Sequence, residues 1–119
     1  MFLGARFTPG FELIARQGGL ARRLARADLV VTGEGAIDAS TLMGKGVGQI
    51  AALCHKSNIP CIGLAGMAVR SPQLARRFAQ LHALAEFASA EYAKANATSC
   101  LEKLAEDVAA RWLAQFPAE

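Results

Sequence analysis

The run Cys61-Ile62-Gly63-Leu64-Ala65 restricts this chain more than any other segment. It is apolar at every position, is preceded by Pro60 and is followed by Gly66. It is too short for a stable helix. A strand that is apolar throughout, rather than at every second residue, is buried on both faces, which is the mark of a parallel sheet covered by helices. A second apolar run, Leu29-Val30-Val31, lies in the strand predicted over residues 28–32. A third strand is predicted over 81–87, where Ala and His dilute the pattern.

Helical signals alternate with these runs. Val47, Ile50, Ala51 and Cys54 recur at helical spacing and predict a helix over 46–56, ended by Asn58 and Pro60. Ser71-Pro72 is a capping residue followed by proline, and opens a helix to about residue 79. Leu101, Leu104, Ala105, Val108, Trp112 and Phe116 form one stripe of a C-terminal helix starting near residue 96, with a short helical turn from Ser89 before it. At the front, Thr8-Pro9 starts a helix to about residue 17, Gly18-Gly19 stops it, and an arginine-rich helix covers 20–25. The order predicts an α/β fold with three layers: a Rossmann-like, partial parallel sheet of about three strands, flanked by helices and joined by right-handed crossovers. Three strands are few against about five or six in an ordinary sheet, and an exposed parallel edge is a liability. The chain therefore reads as part of something larger, or as a subunit whose sheet edge a partner covers.

Composition narrows the function classes. An apolar share of 53% is that of a globular chain. No apolar run approaches the roughly 20 residues that cross a bilayer, and no signal peptide is visible after Met1, so a soluble, cytoplasmic protein without membrane partners is expected. Arg22, Arg23 and Arg26 cluster, as do Arg70, Arg76 and Arg77, but no aromatic residues interleave with them. Solvated helix faces are expected there, not a nucleic-acid surface. Cys54, Cys61 and Cys100 lack metal-ligand spacing and read as small core residues. His55 and His82 have no adjacent acid or cysteine pattern, and Trp112 on its apolar stripe reads as core.

The chemistry-bearing residues concentrate between the first strand and the following helix. Residues 32–46 read Thr-Gly-Glu-Gly-Ala-Ile-Asp-Ala-Ser-Thr-Leu-Met-Gly-Lys-Gly. A polar, glycine-rich loop at the carboxyl end of a buried strand is where open α/β sheets bind ligands. A Walker A loop would require glycine at 39 and Ser or Thr after the Gly-Lys pair, where Ala39 and Gly46 stand. The dinucleotide fingerprint fails at its third glycine position, which is Asp38. What is left is coherent: Gly44, Gly46 and Gly48 permit close approach of backbone N–H groups to an anion at a helix start, and Lys45 adds positive charge. Glu34 and Asp38, read here as four apart in a loosened turn, could hold a divalent cation or accept a hydroxyl proton. Ser40 and Thr41 offer neutral hydrogen bonds. These are the parts of phosphoryl transfer. The competing reading is structural, with Asp38 or Ser40 capping a short turn over 40–43.

The segment Ala27-Asp28-Leu29-Val30-Val31-Thr32-Gly33-Glu34-Gly35-Ala36-Ile37-Asp38, with Ser40-Thr41 and Gly44-Lys45, resembles the signature of bacterial type 1 glycerate kinases. Pro60-Cys61-Ile62-Gly63-Leu64-Ala65-Gly66, the opening Leu3-Gly4-Ala5 with Pro9-Gly10-Phe11-Glu12-Leu13, and Asn96-Ala97 with Leu101 and 105–109 are also similar to that family. The resemblance covers nearly the whole chain. It implies ATP- and magnesium-dependent phosphorylation of D-glycerate to a phosphoglycerate, with the 2-hydroxyl as the expected acceptor. It further implies that residues 1–119 correspond to the C-terminal segment of a larger, two-domain protein, that Met1 is either an internal start or an artificial boundary, and that this chain alone is not a competent kinase. The absent N-terminal portion, or a second copy at the sheet edge, would then be its partner.

Carried over as the site are Asp38 and Lys45 as catalytic residues and Gly33, Glu34, Gly35, Ser40, Thr41, Gly44 and Gly46 as substrate- or nucleotide-binding residues. Asp38 and Glu34 are the expected magnesium ligands. The sequence departs from the family pattern at Ala36 (usually Arg), at Ser40 (usually Gln), and after Lys45, where a proline is lost. Two rival readings are a flavodoxin-like nucleotide- or anion-binding module without catalysis, and a truncated paralogue that self-associates through its sheet edge.

Overall fold

The computed structural model describes residues 10–44 and 46–116. Helices α1 (Gly10–Gly18) and α2 (Leu20–Ala25) precede strand β1 (Val30–Ile37). A 3-10 helix, Ala39–Leu42, then leads into α3 (Gly46–Lys56), β2 (Cys61–Ala68), α4 (Pro72–Arg77) and β3 (Gln80–Ala83). A second 3-10 helix, Leu84–Glu86, precedes α5 (Ala90–Ala95) and α6 (Ala97–Leu113).

The three strands form one parallel sheet in the order β1-β2-β3. Val30 pairs with Cys61 and Glu34 with Ala65; after Gly35 the ladder continues with Ala36–Met67 and Ile37–Ala68. On the second side Ile62 pairs with Gln80 and Ala65 with Ala83. Alternate residues of β2 supply two separate cores, as its continuous apolar run requires. Cys61 and Ala65 pack with Leu24 of α2, Ala51 and Cys54 of α3, Leu74 of α4, Phe78 and Leu81. Ile62 packs on the opposite face with Leu84, Ala93 of α5, and Leu104 and Val108 of α6. The molecule is therefore the expected three-layer α/β sandwich of helices, sheet and helices.

Several boundaries differ from expectation. Strand β1 does not stop at residue 32 but runs to Ile37, because β2 continues to Ala68 and pairs with it along that length. The third strand ends at Ala83, and Leu84 turns into the second core through a 3-10 helix, so 84–87 is not extended. Helix α4 ends at Arg77, with Phe78 extended and pinned by its N–H to the Leu74 carbonyl. Ser71 caps α4 through its hydroxyl, at 3.2 Å from the Leu74 nitrogen, with Pro72 at the first helical position. The expected Thr8-Pro9 start lies outside the described residues. On the C-terminal stripe Leu104 and Val108 are buried, whereas Leu101 and Phe116 are exposed. Trp112 stacks its tilted ring on Phe116, with centroids 5.7 Å apart, and packs against the second core.

The two sheet edges are treated differently. Strand β3 is four residues long, and the Arg70 guanidinium reaches over it to the Leu81 carbonyl at 2.7 Å while pairing with Glu86. Strand β1 is eight residues long and, among the described residues, pairs with β2 alone. Val31 on it and Met67 and Val69 beside it are more than half exposed. Arg22, Arg23, Arg26, Arg76 and Arg77 are all exposed. Among the described residues no helix is long and apolar enough to cross a membrane.

Candidate functional site

The polar segment that sequence alone reads as one loop divides into three parts. Its first part, Gly33 to Ile37, is the second half of β1. Its middle is the 3-10 helix Ala39–Leu42, and its last part is a turn into α3. Glu34 and Asp38 are thus separated by extended backbone rather than gathered in a turn. At about 3.3 Å per strand residue, roughly 13 Å of rise lies between them. The separation favours one carboxylate per ion over a shared grip.

Asp38 is the N-cap of the 3-10 helix, so the capping alternative is realised. Its backbone is extended, with φ −149° and ψ −170°. Its Oδ1 accepts the Ser40 N–H at 2.8 Å and the Ser40 hydroxyl as well. In return the Asp38 N–H donates to Thr41 Oγ1 at 3.0 Å. Such reciprocal caps satisfy donors that a helix start leaves unpaired. Ser40 therefore faces Asp38 and holds its carboxylate in one orientation. Thr41, expected to meet a ligand, is instead fully buried. Its backbone lies directly against Gly48 in the first turn of α3.

Glycine is required at two of the expected positions for reasons internal to the fold. Gly44 has φ +103°, a conformation that side chains avoid, and its carbonyl accepts the Gln49 side-chain amide at 2.7 Å. A Cβ on Gly33 would lie 2.9 Å from the Leu64 carbonyl oxygen, so the strand pair itself demands glycine there. Gly35, by contrast, is exposed and has open space around its Cα. Gly46 is the exposed first residue of α3. Lys45 lies outside the described residues.

Glu34 carries the clearest unmet requirement. Its Oε2 is buried and has no hydrogen-bond partner among the described residues. A buried carboxylate oxygen left unpaired is costly and calls for a donor or a cation. Among the described residues no cluster of three or more His, Cys, Asp and Glu could by itself enclose a metal ion. The shallow groove that includes Glu34 measures about 400 Å³ and is lined by Val31, Gly33, Leu64, Gly66 and Leu101.

Sequence reasoning placed Gly48 in an anion cradle, whereas it is buried against the 3-10 helix, and it gave no role to Gln49. A Cβ on Gly48 would lie 1.9 Å from the Thr41 carbonyl oxygen, so α3 and the 3-10 helix meet backbone to backbone at that point. The signal was available: glycine inside a helix costs about 1 kcal/mol relative to alanine and asks for a packing reason.

A family model described as "Glycerate kinase family" matches residues 1–113. An uncharacterized protein of Mycobacterium bovis is 42% identical over 92% of this chain and 29% of its own length. A glycerate 2-kinase of Escherichia coli is 40% identical over 55% of this chain and 17% of its own. A glycerate kinase of Halalkalibacterium halodurans is 37% identical, again over 55% and 17%. The chain thus spans under a third of the length of these curated relatives.

Proposed function

The chain belongs to the glycerate kinase family, and on that premise we propose that its β1–α3 segment forms one wall of a cleft in which ATP phosphorylates D-glycerate to 2-phosphoglycerate. The observation that carries this reading is the buried Oε2 of Glu34, which has no partner among the described residues, on the same strand that leads directly into the Asp38 cap. A buried carboxyl oxygen without a donor among the described residues is what a cation-bearing ligand would satisfy.

Magnesium fits this donor set. It is usually held by one or two carboxylates together with phosphate oxygens and water, not by an all-protein cage. Glu34 or Asp38 would hold it, and bound there it would screen the charge of the phosphates. The chain's own residues orient the reactants. Ser40 fixes the Asp38 carboxylate, which in this reading accepts the glycerate hydroxyl proton or grips the metal. Gly35 and Gly46 are exposed glycines of the same segment, and Lys45 is assigned to a phosphate. Because the relatives are more than three times as long, the remaining wall of the cleft is proposed to come from polypeptide beyond these residues, with a second copy at the β1 edge as the alternative source.

Glycerate-dependent ADP release tests the proposal. The longest polypeptide that the gene encodes should turn over, whereas the 119 residues alone should not. Asp38→Asn and Lys45→Ala in the active polypeptide should each lower turnover at least tenfold, about 1.4 kcal/mol. Near wild-type rates in both variants would remove these residues from the chemistry.

A further inference from the structure

We propose that Thr41 is a positioning residue for Asp38, acting through its buried hydroxyl; the inference rests on the kinase reading of Asp38 given above. Thr41 is the one buried polar or charged residue among those described, and its relative exposure is 0%. Burying a hydroxyl is unfavourable unless a hydrogen bond compensates it. Valine has nearly the same shape and would occupy such a site without that cost. The hydroxyl spends its burial on the Asp38 N–H, 3.0 Å from Oγ1.

The residue is also held from behind. Its carbonyl faces Gly48 of α3, where even a methyl group would fall 1.9 Å from the oxygen. Thr41 is therefore wedged between the longest helix on that side of the sheet and the residue whose carboxylate the mechanism uses. Asp38 is clamped twice: its amide by Thr41 and its Oδ1 by Ser40. Together the two bonds fix the amide and the carboxylate of a residue at the exit of β1, where a small rotation would swing the carboxylate away. Misplacement of a reacting group by about 1 Å can cost on the order of a hundredfold in rate.

Substitution at Thr41 separates the hydroxyl from the shape. Thr41→Ser keeps the acceptor and loses a methyl group, whereas Thr41→Val keeps the shape and loses the acceptor. In the longest polypeptide that the gene encodes, with kcat referred to folded protein, Thr41→Val should lower kcat at least tenfold and leave KM for ATP within threefold. Thr41→Ser should stay within threefold of wild type in both. A merely structural Thr41 would change the folded fraction and leave kcat per folded molecule intact. Thr41→Val within threefold of wild type, or equal losses in the two variants, would overturn the inference. Should Thr41→Val fail to fold, Thr41→Cys, with a weak sulfur acceptor, takes its place under the same criterion. Asp38→Asn measured alongside distinguishes the two levels. Loss in Asp38→Asn without loss in Thr41→Val sinks only the positioning role. Full activity in Asp38→Asn sinks the kinase reading of Asp38 and the present inference with it.

Discussion

Gly48→Ala sets two effects of opposite sign against each other. In an exposed helix interior the change stabilises by about 1 kcal/mol through helix propensity. At Gly48 the new Cβ would lie 1.9 Å from the Thr41 oxygen, 2.8 Å from its carbonyl carbon and 3.3 Å from the Leu42 Cα. All three are backbone atoms, so no side-chain rotation relieves the overlap. Recovering an ordinary separation of about 3.5 Å requires a shift of roughly 1.5 Å between α3 and the 3-10 helix. Overpacking of this kind costs about 1–3 kcal/mol, and loss of the Thr41–Asp38 cap adds about 1 kcal/mol. After the propensity gain is deducted, a net loss of about 1–3 kcal/mol remains. With a urea slope of about 1–3 kcal/mol per molar, the unfolding midpoint should fall by on the order of 1 M. Gly46→Ala is the control, because its Cβ would meet only a Phe11 ring carbon at 3.7 Å; its midpoint should hold or rise slightly. A Gly48→Ala midpoint at or above wild type would refute the close approach and with it the wedge behind Thr41.

Two further outcomes follow from buried titratable groups. Burial raises the Cys61 thiol to about 12, with Cys54 adding to the shift, and burial raises Cys54 as well. Native protein at pH 8 should therefore release one fast equivalent to a disulfide reagent, from half-buried Cys100, and two more only on unfolding; three fast equivalents would contradict the core placement. Burial lowers His82, Arg111 and Arg70 act in the same direction, and Glu86 opposes them. The unfolded chain thus binds the proton more readily, so stability is full above about pH 6.5 and falls as pH drops through that value. Thermal melts from pH 5 to 8 should show this slope flattened in His82→Gln, and identical slopes would discard the assignment.

How legible these features were depends on whether local chemistry or long-range pairing decides them. Helices α2 and α3 were readable to the residue, because Gly19, Asn58 and Pro60 bracket clear helical spacing. Ser71-Pro72 announced α4 by the same local logic. Strand β1 was cut short because Gly33-Glu34-Gly35 carries poor strand propensity. Pairing with β2 through Ala68 overrides that preference, and the need for glycine at 33 comes from the Leu64 carbonyl across the ladder. Nothing inside residues 32–38 states that requirement.

The same distinction explains the site. Asp38 could be recognised as a cap from its neighbours, since an acid followed three residues later by a hydroxyl can bond reciprocally. Thr41 could not be recognised as buried, because its burial depends on α3 folding back with a glycine at 48. Composition and resemblance together suggested ligand contact for Gly33, Glu34, Gly35, Asp38, Ser40, Thr41, Gly44, Lys45 and Gly46 alike, yet folding gives neighbouring residues different work. Ser40 holds a carboxylate, Thr41 holds an amide, and Gly33 lets two strands meet. Glu34 is what this internal accounting leaves over, an acceptor that the described fold does not satisfy. A motif's residues therefore divide by whether the fold already consumes their hydrogen-bonding capacity, and the unconsumed group is where a ligand has something to gain.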